Sequence, residues 1–269
     1  MTMTLERPDH SPGRRPTGVN GWLVIGGIFT LLVVVLGALG VAGWLGFRTE
    51  IQTQVYQTAI TDLDIDLTTG DLRVAVGGEG AVTVTRRLHW SFTKPTFQEN
   101  FDGQRLSVTQ SCGSVFMPGP GCGVDYTVQV PAGTSLRAHT DTGDIEVNDI
   151  RGPVDVGTST GDVSISGVVG DLSVRTGTGD ITVVGARSPH VDASTSTGDI
   201  ELRLADSPQT VTANTGTGDV DVTVPQGEVY HVQTETSTGD SSVGVHTSDT
   251  APRTIKVHTS TGDIGIAYA

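Results

Sequence analysis

One tripeptide constrains this chain more than anything else in it. Thr-Gly-Asp occurs eight times, with its glycine at Gly70, Gly143, Gly161, Gly179, Gly198, Gly218, Gly239 and Gly262. From Gly143 onward the spacings are 18, 18, 19, 20, 21 and 23 residues. A period near 20 residues is the mark of a solenoid or array, in which each repeat buries its apolar face only against its neighbours. With the glycines aligned as position zero, position minus seven reads Leu63, Leu136, Val154, Leu172, Val191, Val211, Val232 and Ile255. Plus two reads Leu72, Ile145, Val163, Ile181, Ile200, Val220, Ser241 and Ile264, and plus four is aliphatic in every copy. Minus three is Thr in all copies after the first, which has Leu67. Intervening positions are polar. Alternation with period two on both sides of a Gly-Asp corner predicts strand, turn, strand, with one face buried.

The corner residues have physical reasons. Gly can adopt a positive φ that a β-branched residue resists, and the adjoining Asp (Asp71, Asp144, Asp162, Asp180, Asp199, Asp219, Asp240 and Asp263) can accept local backbone N–H bonds in an Asx-type turn. The inward Thr column offers a methyl group to the core and a hydroxyl to neighbouring coils or strand backbone. A hairpin meander satisfies the same alternation. A parallel β-solenoid is favoured because like corners stack on like, because Thr-Gly is not a preferred two-residue hairpin turn, and because length variation is confined to the opposite loops. Composition agrees: 36 glycines and only 5% aromatic residues suit many turns around a thin core of small β-branched side chains.

Upstream of the repeats lies a different kind of segment. Residues 21–47 carry no charge, and about 20 apolar residues suffice to cross a bilayer as a helix. Trp22 and Trp44 would sit near the two interfacial belts. A cleaved signal peptide with a site near Ala38-Leu39-Gly40 is the alternative, but its apolar region would be too long. Arg7, Arg14 and Arg15 precede the segment and Arg48 follows it, so the positive-inside rule puts the N-terminus in the cytoplasm and residues 48–269 outside. The expected organisation is a disordered tail at 1–20, a transmembrane helix at 21–47, a short stalk at 48–59 and an extracytoplasmic solenoid domain at 60–269. Ala38, Ala42 and Gly46 form a small-residue stripe that would permit a homo-oligomer through the membrane helices.

Residues 77–131 interrupt the period and hold most of the domain's aromatic residues. They are expected to cap an end of the solenoid, the other reading being a binding region. Cys112 and Cys122, the only cysteines, bracket a Gly/Pro-rich stretch within this insertion. In an oxidising compartment they are expected to form a disulfide.

The run Tyr126-Thr127-Val128-Gln129-Val130-Pro131-Ala132-Gly133-Thr134-Ser135-Leu136, followed by Thr-Gly-Asp-Ile coils, resembles the bacterial putative-adhesin family of β-helical domains of unknown function, over roughly residues 60–269. The resemblance implies a β-helical fold and an envelope or cell-surface protein, some relatives being linked to envelope-stress regulation. It supplies no catalytic residues, and the Cys112–Cys122 loop is not part of its pattern.

Charge and motif narrow the function classes. A net charge of -14 with no basic stripe argues against nucleic acid. The seven histidines are scattered, and a Ser-His-Asp grouping carries no weight in so Ser- and Asp-rich a chain. One Asp per coil supplies too few oxygens for calcium. The sequence therefore predicts a non-catalytic envelope protein without metal or cofactor, anchored through residues 21–47, adhering to or recognising an unidentified envelope protein or glycan. Alternatives are a regulatory partner in envelope stress and, more remotely, a polysaccharide-acting enzyme.

Overall fold

The computed structural model describes residues 25, 28–38, 46–58, 60–78, 80–91, 93–112 and 121–269. The cytoplasmic tail and about half of the membrane segment expected from the sequence (residues 21–24, 26–27 and 39–45) lie outside these residues. Residues 28–38 are helical, and among the described residues no helix is long and apolar enough to cross a membrane.

Among the described residues, every element from Arg48 onward is a β-strand. The first strands are β1 (Arg48–Tyr56), β2 (Asp62–Thr69), β3 (Leu72–Val76), β4 (Val82–Trp90), β5 (Thr96–Asp102), β6 (Arg105–Ser111) and β7 (Gly123–Val130). The regular coils follow as β8 (Ser135–Thr142) with β9 (Ile145–Asn148), β10 (Val154–Thr160) with β11 (Val163–Ser166), and β12 (Leu172–Thr178) with β13 (Ile181–Ala186). Next come β14 (His190–Thr197) with β15 (Ile200–Leu204), and β16 (Thr210–Thr217) with β17 (Val220–Val224). The last are β18 (Tyr230–Thr238) with β19 (Ser241–Val243), and β20 (Arg253–Thr261) with β21 (Ile264–Tyr268). They form two sheets. One has 11 strands in the order β1-β4-β7-β3-β9-β11-β13-β15-β17-β21-β19, and the other has 10 in the order β18-β20-β16-β14-β12-β10-β8-β2-β6-β5. Each Thr-Gly-Asp corner carries the chain from the second sheet to the first, and the coils pair in parallel and in register: Val154 lies beside Leu136 and Leu172, and Thr158 beside Thr140 and Thr176. The meander is excluded, because corner-linked strands belong to different sheets.

Between the sheets runs a single core in which the aliphatic columns are almost wholly buried, as at Leu72, Ile145, Val163, Ile181, Ile200 and Val220. The inward threonines are buried with them: Thr140, Thr158, Thr176, Thr195, Thr215 and Thr259. Few large side chains are needed because strands from both sheets interdigitate across a thin gap.

Coil order in space departs from order in sequence at both ends. The coil β6/β7 stacks outside β2/β3, and β20/β21 lies between β16/β17 and β18/β19. The chain thus runs to each end and returns inward. The terminal coil β18/β19 has no coil beyond it, and its inward positions Thr234, Thr236, Ser241 and Val243 are half-buried or exposed. Thr and Ser stand there in place of the usual aliphatic residues because those positions face water.

At the other end of the two sheets lie β4 to β7. Strand β4 pairs antiparallel with β7 and β1, and β5 pairs antiparallel with β6. The stalk expected at 48–59 is corrected by this arrangement, since Arg48–Tyr56 forms the edge strand β1, in full register with β4. Its inward residues are polar (Glu50, Gln52, Gln54) where a core strand would be apolar, because β1 overhangs the end of the core. Beneath it the Arg86 guanidinium donates to Glu99 at 2.6 Å and lies 4.2 Å from the Phe97 ring centroid. The Tyr56 hydroxyl also donates to Glu99. Burial, and then that bond, push Tyr56 up to about 12.

Candidate recognition surface

The corner ladder is the most ordered polar feature of the molecule. Each corner glycine has a φ between 138° and 146°. A second constraint is equally strong. A Cβ at Gly198 would lie 2.0 Å from the carbonyl oxygen of Gly179, and the same contact, at 2.0–2.1 Å, recurs from corner to corner along the stack. Glycine is required by the backbone of the neighbouring coil as well as by its own φ.

That carbonyl is also an acceptor. The hydroxyl of Thr215 donates to Gly198 O at 3.0 Å, and Thr195, Thr176 and Thr158 donate likewise to Gly179, Gly161 and Gly143. The Asp carboxylates do not make the expected local Asx turns. Each accepts from the backbone N–H of the Asp one coil on: Asp162 donates to Asp144, Asp180 to Asp162, Asp199 to Asp180 and Asp219 to Asp199, at 2.8–2.9 Å. The ladder continues through Asp263 to Asp240, the spatial order of the last coils. The bond is between coils because the extended glycine backbone aims the next N–H along the stack, not back into its own turn.

At the end formed by β4 to β7 the motif changes form. Asp71 N–H donates to Asp125, and Gly70 packs on Val124 O, so Val124-Asp125 occupy the Gly-Asp place in the coil β6/β7. No corner lies beyond Val124, and a side chain fits. Here the Cys112–Cys122 disulfide, with its Cα atoms 5.7 Å apart, stands beside the turn.

One oxygen of every ladder carboxylate but that of Asp240, at the end of the stack, accepts an inter-coil bond, and among the described residues there is no cluster of three or more His, Cys, Asp or Glu that could hold a metal ion. The sequence singled out the corners, Cys112 and Cys122; the structure stacks the corners in one ladder and joins the two cysteines in a disulfide. Acid crowding shows beside the ladder at Asp221, whose carboxyl is raised above its usual range by burial first, then by Asp219, Glu201 and Asp199.

Among the described residues, the largest groove lies elsewhere, on the 10-stranded sheet. It has a volume of about 700 Å³ and crosses the starts of β2, β8, β10, β12, β14 and β16. Basic and acidic side chains interleave along it: Arg105, then Asp62 and Asp64, Arg137, Asp155, Asp171 with Arg175, and Asp192. Arg175 bridges Asp155 and Asp192 at 3.2 Å each, and Arg137 reaches Asp155 at 3.6 Å. Gly157, having no side chain, leaves a notch of about 280 Å³ between His139 and Arg175. Apart from Arg105, these residues occupy the outward columns minus eight, minus six and minus four, which the sequence reading records only as polar. Reading those columns in stacking order is the signal that finds them.

A family model described as Toastrack DUF4097 matches residues 47–267. The chain belongs to the Toastrack DUF4097 family. Solved structures resemble this Toastrack domain. A candidate adhesin (BF0245) of Bacteroides fragilis superposes with a TM-score of 0.54 at 15% identity, covering 82% of this chain and 97% of its own. A candidate cell adhesion protein of Clostridium sporogenes gives 0.41 at 11% identity, covering 82% and 100%. A candidate lipid binding protein of Parabacteroides distasonis gives 0.42 at 11%, covering 82% and 97%. At these identities the likeness concerns the fold alone. No curated protein matches the chain.

Proposed function

We propose that this Toastrack protein is a non-catalytic, membrane-anchored recognition module of the cell envelope, which uses the mixed-charge groove to engage an envelope protein or glycan. The observation that carries this reading is the construction of the groove. Six coils locked in register by the corner ladder present Arg137, Asp155, Arg175 and Asp192 at a repeat of about 4.8 Å per strand. Such an array costs little ordering on binding and matches an extended, charged partner. The names of the Bacteroides and Clostridium structures agree with adhesion. Anchoring is supported by the uncharged run at 21–47 and by residues 28–38, a helix with exposed apolar side chains including Ile28, Phe29, Leu32 and Val35. A helix apolar on every side belongs in a core or a bilayer.

The test is capture on intact cells. Full-length protein carrying Arg137→Glu and Arg175→Glu should crosslink to its envelope partner at least about tenfold less than wild type, the loss expected from roughly 1.4 kcal/mol. Its melting temperature should be little changed, since exposed ion pairs contribute little to stability. Undiminished crosslinking would reject the groove.

A further inference from the structure

The edge strand β1 presents a feature that neither the ladder nor the groove uses. On its outer face Phe47, Ile51 and Val55 are exposed by 46%, 61% and 45%. They share that face with Thr49 and Thr53, and Ile51 sits opposite the exposed Arg87 of β4. Isolated exposed aliphatic residues need no explanation, but a row of them on an edge strand does. Chain connectivity says what covers it. The uncharged run ends at Phe47 and β1 begins at the next residue, so no linker separates the two. Trp44, the outer belt residue of the membrane segment, lies three residues before Phe47, within about 10 Å even when fully extended.

We propose that β1 is the foot of the molecule, its row of Phe47, Ile51 and Val55 lying in the headgroup region of the bilayer that holds residues 21–47. The inference rests on the membrane reading above. Chemistry at this end suits an interface: Arg87 is an exposed cation opposite Ile51 on the same face, and Arg48 is exposed at the start of the strand. Apolar side chains flanked by Arg and Lys are the usual makers of such contacts. The row spans about 27 Å at strand rise, so β1 lies along the surface with its outer face turned to the headgroups. The opposite end, at β19, is ten strand intervals away in the 11-stranded sheet, about 48 Å. Net negative charge elsewhere on the domain holds the remainder off an anionic surface.

The experiment uses the full chain in vesicles of phosphatidylcholine and phosphatidylglycerol. Both native cysteines are disulfide-bonded, so a single introduced cysteine can carry an environment-sensitive fluorophore at Ile51→Cys, Val55→Cys, Leu32→Cys or Val184→Cys. Val184 is a fair control because it is 41% exposed on the same sheet, on β13, six strand intervals from β1. Lipids bearing a nitroxide at the headgroup or upper acyl chain should quench the labels at 51 and 55 at least about threefold more than the label at 184, and deep nitroxides should quench the label at 32. Because the fluorophore itself is apolar, a label at Thr53→Cys is also read with and without Ile51→Asp and Val55→Asp, which should abolish its quenching. Labels at 51 and 55 no more quenched than that at 184, with 32 quenched, overturn the foot while the anchor stands. An unquenched label at 32 overturns the anchor and the foot with it.

Discussion

At the scale of single residues, the corner glycine meets two demands at once, and they predict a large penalty for any side chain. Gly198→Ala places a methyl group against Gly179 O and holds Ala at positive φ, so it should cost roughly 2–4 kcal/mol. Gly133→Ala, where nothing lies within 4 Å of the new Cβ, should cost less than about 1 kcal/mol. Equal losses in denaturant melts would refute the close-approach argument. Thr215→Val keeps the shape but removes the donor to Gly198 O, and should cost about 1–2 kcal/mol. Asp221 acts in the opposite sense. Its folded-state carboxyl is raised by burial and by neighbouring acids, so the protonated form favours folding. That contribution is complete below the unfolded value and is lost as pH rises through the folded one. At pH 7 the ionised group therefore weakens the fold. Asp221→Asn should raise the melting temperature slightly at pH 7, and the gain should fade toward pH 4. A gain independent of pH would point to packing instead of charge.

At the scale of elements, the chain's alternation made the coils legible, because a period of two with one face buried admits few solutions. Corners and columns followed from it. Strand β1 did not, because its pattern is inverted: Glu50, Gln52 and Gln54 turn inward while Ile51 and Val55 turn outward, as an overhanging edge allows. The return of β20/β21 inside β18/β19 was also hidden. Its one trace is Thr234 and Ser241 in aliphatic columns, a polar layer suited only to an end. The groove escaped notice because outward columns are free to vary, and meaning arises only when Arg137, Asp155 and Arg175 are stacked. The disulfide belongs to this scale too. It closes a sequence separation of 10 beside the turn of β6/β7, and its loss should cost about 2.5–3 kcal/mol in the chain-entropy model. Cys112→Ser with Cys122→Ser should speed hydrogen exchange in β4 to β7 and leave β10 to β17 protected. Uniform loss of protection would mean that β4 to β7 and the stack unfold as one unit.

At the scale of the whole molecule, the question is how a chain of net charge -14 tolerates a line of carboxylates at about 4.8 Å spacing. The ladder answers part of it. Each Asp from Asp71 to Asp263 accepts a backbone N–H from the next coil, and such charge-assisted bonds offset repulsion locally. What remains is long-range and exposed, and is screened over about 8 Å at physiological ionic strength. Calcium could act in a second way only by gathering six to eight oxygens. One oxygen of every ladder carboxylate but Asp240 is already engaged, and the adjoining outward column changes from coil to coil through Arg73, Glu146, Ser164, Thr182, Glu201, Asp221 and Gly265, adding acids on neighbouring coils only at Glu201 and Asp221. Raising sodium chloride from about 0.02 to 0.2 M shortens the screening length from roughly 20 Å to 7 Å, and should raise the melting temperature by a few degrees. Calcium and magnesium at equal ionic strength should add nothing that distinguishes one from the other. A calcium-specific rise, reversed by chelator and unmatched by magnesium, would mean that the second oxygens of the ladder bind metal, and the ladder would then be a site as well as a scaffold.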